Sequence, residues 1–442
     1  MHELGPPVRI TYLTAGAAGM YCGSCMHDNT LARALTQAGA DVQLVPMYTP
    51  IRTDEADVSI DRVFFGGINV YLQQRIGLFR YLPRAFDRLL DSPALLRWVG
   101  SRGVETSAAQ LGELTLSMLR GSAGFQRKEV RRLGRWLTRG ALPDLVVFSN
   151  VLVAGCVPDL KRAVGAKIAV TLQGDDLFLD ELPPPCKRQA LEHIRRLAEQ
   201  VDAFLVHSRF YAEYMAEYLG LDPARFHVVP LGIDTSDFRQ SIPANSDLAA
   251  PPGPLRVGYL ARLAPEKGLH VLVDAFLQLK QLPGMQSTEL LIAGWLGKRH
   301  QAYANAQLAK LQAAGLERSC RYLGTVDRAQ KVALLTQLHL LSVPTVYREP
   351  KGLYVLEALA AGVPVVQPDH GVFPELLAAT GGGRLVPPHQ PQPLAVALHQ
   401  LLLDHATRHR MAAAARAVVH DRFNARAMAE QTLRVLRPLV AQ

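Results

Sequence analysis

Short apolar runs and amphipathic stretches alternate along most of the chain in two successive series. In the first series, the apolar runs predict strands at residues 8–14, 42–45, 144–150, 167–172 and 203–207. Helical patterns lie between them at 28–37, 151–164 and 186–200. Strands that alternate with helices pair in parallel and are covered by helices on both faces. The first series therefore predicts a doubly wound parallel sheet.

The second series begins after residues 241–254, which are rich in Pro, Ala and Ser and predict a surface loop where two domains join. It predicts strands at 255–260, 289–293 and 321–324, and a helix at 267–281. A strand-helix-strand unit follows at 338–367, and helical patterns continue from Pro387 to the end. A chain of 442 residues is too long for one core. The sequence therefore predicts two α/β domains.

The unit at 338–367 has well-marked helix ends. Pro350 and Gly352 stand just before the helix, where a missing N–H and a bare backbone are tolerated. Gly362 and Pro364 mark its end. We therefore expect the helix to begin near Leu353, directly after the loop at the carboxyl end of the preceding strand.

This loop and helix carry two glutamates that point to a ligand with both an anion and neutral hydroxyls. The Gly352 and Leu353 amides fall at the helix N-terminus, where free N–H groups favour a phosphate. Glu349 and Glu357 would repel a phosphate unless they face neutral donors, and sugar and ribose hydroxyls are such donors. The alternative is that both glutamates favour the start of a helix and face solvent.

Two other strand-to-helix turns carry candidate phosphate contacts. The small-residue loop at 15–19 contains Gly16 and Gly19, but it matches neither the dinucleotide fingerprint nor the P-loop, and a plain tight turn is the alternative. Arg262 and Lys267 frame the turn after the strand at 255–260. Two cations at this spacing clamp a diphosphate and neutralise its charge as it leaves, or they are solvated.

A polar turn follows the predicted strand at 167–172. It reads Gln173-Gly-Asp175-Asp176 and lies at the carboxyl edge of the first sheet. Asp175 is a candidate catalytic residue there, and Asp176 is the alternative for the same role. The alternative is that these acids cap the next segment.

The five cysteines form an odd and scattered set, which argues against a disulfide framework. Cys22 and Cys25, with His27 nearby, suggest a thiol redox pair, half a zinc site, or packing and loop geometry. A second pair of zinc ligands is missing, so packing is favoured and no metal is expected. The first residues lack a signal sequence, and no apolar run approaches the ~18 residues of a membrane helix. We therefore expect a cytoplasmic protein.

The net charge of +9 is concentrated in one segment. Residues 71–140 contain 13 Lys and Arg against 5 Asp and Glu, which gives +8. This argues against nucleic-acid binding and for one basic local surface. The apolar stripe with flanking arginines near 72–98 predicts contact with an anionic membrane surface. The alternative is a stripe that packs on the first domain, with arginines that bind a soluble anionic acceptor or water.

The motif at 349–366 resembles the donor-sugar motif of the retaining glycosyltransferases of family four, of the glycosyl transferases group 1 type. Segments 228–234 and 371–375 fit the same family in the same order. The resemblance implies that Glu349 binds sugar hydroxyls, Glu357 the nucleotide ribose, and the Gly352 and Leu353 amides the diphosphate. Lys351 stands where the family usually has an aromatic residue, and it favours a phosphorylated ligand or reaches solvent.

The same resemblance implies the GT-B fold, in which two doubly wound, Rossmann-like domains face each other across a cleft. The domains would be an acceptor-side domain at 1–230, with a basic helical insert at about 71–140, and a nucleotide-sugar domain at 231–425. The last helix, at 426–442, would return to the first domain. The family often has a histidine where this chain has Gln173, so a histidine role is not carried over.

The activity implied is transfer of a sugar, most simply a hexose, from a nucleotide-diphosphate sugar with retention at the anomeric carbon. Neither a metal nor a cofactor is implied, and the acceptor is unidentified, either lipid-linked or anionic, with peripheral contact at the inner membrane face. A nucleotide-sugar epimerase or a phosphorylase on the same architecture is an alternative. A sugar-nucleotide-binding scaffold without catalysis is another, because the usual histidine is absent.

Overall fold

The computed structural model describes residues 7–16, 22–66, 108–239 and 253–441. Among these residues, the chain divides into two compact units. The first unit is Met1–Pro230 together with Met428–Gln442, and the second is Leu231–Ala427. Each unit is built on its own parallel sheet.

The first unit contains a six-stranded sheet with the order β2-β1-β3-β4-β5-β6, and every pair is parallel. Its strands are β1 (Arg9–Thr14), β2 (Asp41–Pro46), β3 (Leu145–Phe148), β4 (Lys167–Thr171), β5 (Ala203–Val206) and β6 (Phe226–Val228). All four residues of β3 are buried, as expected for a central strand that helices cover on both faces. Its helices are α1 (Gly23–Gln37), α2 (Ala108–Leu119), α3 (Arg127–Leu137), α4 (Val157–Val164), α5 (Asp175–Asp180), α6 (Pro184–Ala198) and α7 (Arg209–Leu219).

The second unit repeats this plan with the order β12-β11-β10-β7-β8-β9, again all parallel. Its strands are β7 (Arg256–Leu260), β8 (Glu289–Ala293), β9 (Cys320–Tyr322), β10 (Leu340–Leu341), β11 (Val365–Pro368) and β12 (Gly383–Val386). Its helices are α8 (Ser236–Arg239), α9 (Leu269–Leu279), α10 (Gln301–Ala313), α11 (Arg328–Gln337), α12 (Leu353–Ala360), α13 (Phe373–Thr380), α14 (Pro391–Leu403) and α15 (His405–Arg422). The last helix, α16 (Ala425–Val440), belongs mostly to the first unit.

In each sheet, the order in which successive strands are added reverses once. The point of reversal fixes where a ligand can bind. In the first sheet the chain runs from β1 to β2 and then returns to β3 on the other side of β1. In the second it runs from β7 to β8 and β9 and returns to β10 on the other side of β7. Ligands of α/β sheets bind at such switch points, beyond the carboxyl ends of the strands. The turn with Arg262 and Lys267 and the loop with Glu349 are the two loops at the second switch point.

The predicted α/β class and the doubly wound sheets are confirmed, and the start of α12 at Leu353 agrees with the prediction. Two strands were missed. β6 is an edge strand of only three residues, and β12 follows a run of glycines and has only one fully buried residue. Both therefore lack the apolar run by which the other strands were predicted.

Two predicted helix starts were wrong. α1 begins at Gly23 rather than near residue 28. Its buried face includes polar residues, among them Asp28 and Asn29, so the sequence lacks the apolar pattern that would mark the first turns. The helix predicted from Lys267 begins at Leu269, because Gly268 adopts a left-handed φ of 72° after a short 3-10 turn. Of the basic insert predicted at 71–140, residues 71–107 lie outside the described residues, and the remainder forms α2 and α3.

Gly268 brings the turn after β7 against the loop after β10. A Cβ atom at this position would lie 1.8 Å from the carbonyl oxygen of Pro344, so only glycine fits. Gly315, after α10, has a similar φ of 69°, but a Cβ atom there would have no neighbour within 4 Å among the described residues. Alanine at Gly315 would cost only the free energy of a left-handed backbone, whereas alanine at Gly268 would add the steric overlap with Pro344.

We predict that Gly268→Ala destabilises the protein more than Gly315→Ala. The left-handed backbone costs each variant about 1–2 kcal/mol, and the overlap with Pro344 adds about 1–3 kcal/mol to Gly268→Ala alone. Urea unfolding followed by circular dichroism measures both. Equal losses of stability in the two variants would show that the loops are not pressed together at this point.

Candidate functional site

The site lies at the carboxyl edge of β7 and β10. The Val346 amide donates to the Glu266 carbonyl at 3.0 Å, which joins the two loops through the backbone. Tyr259, fully buried at the end of β7, donates its hydroxyl to the Arg262 carbonyl at 3.1 Å and contacts the Lys267 carbonyl at 3.4 Å. The Tyr259 hydroxyl thus anchors both ends of the turn that carries Arg262 and Lys267.

Lys267 and Glu349 form a buried ion pair between these loops. Lys267 Nζ lies 2.8 Å from Glu349 Oε2, and the two side chains are only 13% and 6% exposed. The Tyr347 hydroxyl donates to the same carboxylate oxygen at 2.6 Å and also accepts from Lys267 Nζ. The Tyr354 hydroxyl lies 3.4 Å from it. The solvent-facing alternative for Glu349 is therefore wrong.

The Glu349 carboxylate is held in its ionised form. Burial alone raises the pKa of Glu349, but the charge of Lys267 and the hydrogen bonds from Lys267 and Tyr347 outweigh it and lower the pKa to about 2. Burial raises the pKa of Tyr347 well above its ordinary value, so its hydroxyl stays protonated and donates. At neutral pH, Glu349 is a fixed acceptor of hydrogen bonds.

Backbone groups place Glu349 next to the start of α12. Gly352 precedes the helix with φ 72°, and its amide lies 3.4 Å from Glu349 Oε1. The Val372 amide donates to the Glu349 carbonyl at 2.9 Å. A Cβ at Gly371 would lie 2.6 Å from the Glu349 nitrogen, so the loop after β11 needs glycine there. The structure thus brings Glu349, Gly352 and Leu353, the first residue of α12, together with Lys267.

Glu357 lies one turn further along α12 and is also buried and paired. Its Oε1 accepts from Lys331 Nζ, and both side chains are 6% exposed. Lys331 comes from α11, which begins with a capping box between Asp327 and Gln330. The pair therefore fixes α12 against α11, and the solvent-facing alternative is wrong for Glu357 as well.

The remaining cations at this edge differ in exposure. Arg262 is 39% exposed and pairs with Glu266 at 3.1 Å, on the same turn as Lys267. Lys351 is buried, with 8% exposure, and its charge contributes to the lowered pKa of Glu349. Lys351 therefore does not reach into solvent, and its contact with a phosphorylated ligand stays a prediction.

The predicted residues of the first unit belong to a different set of contacts. Gly16 has φ 88°, and a Cβ there would lie 2.1 Å from the Thr49 carbonyl oxygen, so the loop after β1 passes close to the loop after β2. Gly19 lies outside the described residues. The role of either glycine in donor binding stays a prediction.

Asp175 is buried, and each of its carboxylate oxygens accepts a hydrogen bond from a backbone amide. Its Oδ1 accepts from the Val151 amide at 2.7 Å and its Oδ2 from the Gln173 amide at 2.9 Å. Burial raises its pKa to about 6, against the lowering effect of these two amides. These are the contacts of an acid that braces two loops, whereas α5 has Gly174 at its N-cap and no side-chain cap, so the capping alternative is wrong for Asp175. A catalytic role for Asp175 stays a prediction.

Gln173 joins a buried polar cluster around Asp28 that the sequence did not reveal. Asp28 is fully buried in α1 and accepts from Tyr12 at 3.0 Å, Thr14 at 2.6 Å and Gln173 Nε2 at 2.9 Å. Gln173 Nε2 also donates to the Ser149 carbonyl at 3.0 Å. Gln173 therefore ties the carboxyl edges of β1, β3 and β4 together through Asp28.

Three contributors to the two sites were missed from the sequence, namely Tyr347, Lys331 and Asp28. Tyr347 stands two residues before Glu349, so its place in the loop was the one available signal. Lys331 and Asp28 resemble ordinary polar positions of surface helices, and their burial depends on elements distant in sequence.

The described part of the chain holds no cluster of three or more His, Cys, Asp or Glu placed to bind a metal. Within the same ranges, no helix has the length and apolar character of a membrane span.

Two family models match the chain in succession. The model for the Glycosyl transferase 4-like domain matches residues 29–232, and the model for Glycosyl transferases group 1 matches residues 244–418. The second match contains the whole site at the β7 and β10 edge. The first match begins at the residue after Asp28 and contains the Gln173 and Ser149 side of its cluster. The two matches thus follow the two units of the structure.

Curated relatives match parts of the chain. A phosphatidyl-myo-inositol mannosyltransferase of Mycobacterium leprae is 32% identical over 48% of this chain and 55% of that protein. A putative colanic acid biosynthesis glycosyltransferase, WcaL, of Salmonella typhimurium is 29% identical over 62% of this chain and 64% of that protein. A D-inositol 3-phosphate glycosyltransferase of Nocardia farcinica is 29% identical over 54% and 52%. The chain spans about half to two thirds of the length of these relatives.

Solved structures match the chain over nearly its full length. Sucrose-phosphate synthase from Thermosynechococcus elongatus superposes with a TM-score of 0.69 at 19% identity, covering 98% of this chain and 99% of that one. Anabaena HepE in complex with UDP-glucose superposes with a TM-score of 0.65 at 19% identity, covering 97% and 100%. At this identity the likeness shows the fold, and the fold is GT-B.

We predict that Lys331→Met destabilises the protein strongly, because it leaves the Glu357 carboxylate buried without its cation. Breaking such a pair costs about 3–5 kcal/mol. Lys310→Met is the matched control, since the Lys310–Asp274 pair at 2.7 Å is 42% and 37% exposed and should cost less than about 1 kcal/mol. Urea unfolding measures both variants. The double variant Lys331→Met, Glu357→Leu should recover much of the loss, and equal effects of the two lysine variants would contradict the assignment.

Proposed function

Because the chain belongs to the glycosyl transferases group 1 family, we propose that it transfers a sugar from a nucleotide-diphosphate sugar to an acceptor with retention of anomeric configuration. The observation that carries this proposal is the buried Lys267–Glu349 pair beside the start of α12, at the switch point of the second sheet. A cation, an ionised acceptor and a helix N-terminus lie next to one another there. Those are the groups that a sugar diphosphate needs.

The diphosphate end of the donor is assigned to the cations and to the helix. Lys267 lies against Glu349, Arg262 lies on the same turn, and Lys351 is buried one residue before Gly352. Amides at the first turn of α12 add the positive end of the helix dipole. When the bond from the sugar to the diphosphate breaks, negative charge grows on the leaving phosphate, and fixed positive groups stabilise it. We expect no metal to be needed for this step.

The sugar end is assigned to Glu349. Since its pKa is lowered to about 2, the carboxylate stays ionised at working pH and accepts from two hydroxyls. Oε2 already accepts hydrogen bonds from Lys267 and Tyr347. Oε1 has only a long contact of 3.4 Å with the Gly352 amide, so it is the better acceptor for a sugar hydroxyl. The nearby lysine also reduces the repulsion between this carboxylate and a bound diphosphate.

The ribose is assigned to Glu357. Its carboxylate is anchored on one oxygen by Lys331, so the other oxygen can accept from ribose hydroxyls without movement of the side chain. The leaving phosphate takes the proton of the attacking acceptor hydroxyl in this scheme. No protein nucleophile is required, and the proposal gives Asp175 the loop-bracing role that its contacts with Val151 and Gln173 support.

The acceptor is proposed to be an anionic or lipid-linked hydroxyl compound, reached from the cytoplasm at a membrane surface. Two relatives are named for phosphatidyl-myo-inositol and D-inositol 3-phosphate, and both compounds carry a phosphate ester on inositol. The described part of the basic insert supports an anionic partner, because Arg127, Arg131 and Arg135 recur every four residues along α3 and are exposed. A stripe of this spacing lies on one face of a helix.

Incubation with UDP-, GDP- and ADP-sugars without an acceptor tests the proposed activity. We expect slow hydrolysis of one donor, with the retained anomer as the first sugar released, observed by proton NMR. Formation of an epimer would favour the nucleotide-sugar epimerase, and binding without turnover would favour a scaffold. Either result would contradict the proposal.

We predict that Glu349→Gln abolishes turnover of the preferred donor but does not weaken binding of the free nucleoside diphosphate. The sugar loses its acceptor, whereas Lys267 loses the carboxylate that competes with the diphosphate for its charge. Because the buried Lys267 is left without its counter-charge, the variant should also be less stable, and circular dichroism checks that it is folded. Arg262→Ala should instead weaken diphosphate binding and also slow turnover by about 10²–10³-fold. Calorimetry and turnover measure the two effects. Glu289→Gln is the control, since that glutamate pairs with Arg256 at the opposite edge of the sheet. Equal loss of nucleotide affinity in Glu349→Gln would refute the assignment.

A further inference from the structure

Two cysteines stand at the beginning of α1, in the first strand-helix-strand unit of the chain. Cys22 is the N-cap residue, with extended backbone at φ −119° and ψ 126°, and Cys25 lies three residues later in the first turn. Cys22 is half-buried, and Cys25 is 2% exposed. Residues three apart on a helix share a face. The two thiols therefore lie on one face of the helix start, one of them half-buried and the other buried.

The two thiols are already in contact. The hydrogen bond to Cys22 is the main cause that raises the pKa of Cys25 far above its ordinary value, and burial adds to it. Cys25 also hydrogen-bonds Thr14 at the end of β1 and feels the charge of Asp28. The inner cysteine is thus a protonated thiol that touches its neighbour, and its position is set by β1 and by the Asp28 cluster.

The other cysteines are separated from this pair. Cys156 is buried at the end of a 3-10 turn, and burial raises its pKa to about 12. Cys186 lies in α6 and Cys320 at the start of β9, where burial raises the pKa of Cys320 to about 11. None of the five cysteines forms a disulfide in this structure. Cys22 and Cys25 are the pair that local structure brings together.

We propose that Cys22 and Cys25 form a dithiol–disulfide site that exchanges with external disulfides, such as oxidised glutathione. The spacing of two residues between cysteines at the N-terminus of a helix in a βαβ unit is typical of thiol redox sites. The positive end of the helix favours a negatively charged sulfur at the N-cap. The half-buried Cys22 is therefore the attacking sulfur, and Cys25 resolves the intermediate.

The exchange is balanced by the external disulfide. The Cys22 thiolate attacks one sulfur of the disulfide, which forms a mixed disulfide and releases one external thiolate. Cys25 then loses its proton to solvent and attacks the Cys22 sulfur, which releases the second external thiolate. The two cysteines are oxidised together, and the external disulfide is reduced to two thiols. Cys25 then has no S–H group, so its hydrogen bond with Thr14 changes at the edge of β1.

Oxidation of the full chain with glutathione disulfide tests this site. After native incubation and alkylation, peptide mapping by mass spectrometry should show one link between Cys22 and Cys25, which dithiothreitol reverses. Cys25→Ser should stop at a stable glutathione adduct on Cys22, because the resolving thiol is absent. Cys22→Ser should leave Cys25 unmodified, because Cys25 is buried.

Cys186→Ser is the control and should oxidise like the unmodified protein, since Cys186 is also half-buried but lies in α6. Circular dichroism confirms that each variant is folded. The proposal is overturned if the unmodified protein keeps both thiols, or if Cys22 carries glutathione without closing on Cys25. This readout requires no sugar transfer, so the outcome is independent of the proposed activity.

Discussion

The attraction between Lys267 and Glu349 is the interaction on which the second unit's site depends. Both charges are removed from water, and removing either one would leave the other buried without compensation. The pair also connects the loop after β7 to the loop after β10, which are the two loops at the switch point of the sheet. One ion pair therefore both neutralises the two buried charges and joins the two loops. A second buried pair, Lys331–Glu357, holds the next turn of α12 in the same way.

Glycine makes these contacts geometrically possible. A Cβ atom on Gly268 would overlap the Pro344 carbonyl, and one on Gly371 would overlap the backbone of Glu349. Both residues have positive φ, so a side chain would be strained as well as obstructed. Close approach of three loops leaves Lys267, Tyr347 and Glu349 with few alternative positions. A site built in this way is rigid before a ligand arrives, which lowers the entropic cost of binding.

Much of the architecture could be predicted from the sequence, because the strands of buried parallel sheets are continuous apolar runs. The start of α12 and the location of Glu349 followed from Pro350, Gly352 and the order of the elements. The partners could not be predicted in the same way. Lys331 pairs with a glutamate 26 positions away, and Asp28 is surrounded by residues from β1 and the turn after β4. Polar residues buried by tertiary contacts have the same sequence pattern as solvated ones, and strands as short as β6 have almost no pattern.

Hydrogen–deuterium exchange of the full chain, with and without the donor that it turns over, tests whether the loops joined by Lys267 and Glu349 bind a nucleotide-diphosphate sugar. We expect slower exchange of amides in residues 261–268 and 345–357, including the first turn of α12. Near Glu349, the free nucleoside diphosphate should give a smaller change than the donor. Protection confined to other segments, or none at a concentration that saturates turnover, would show that the donor does not bind there.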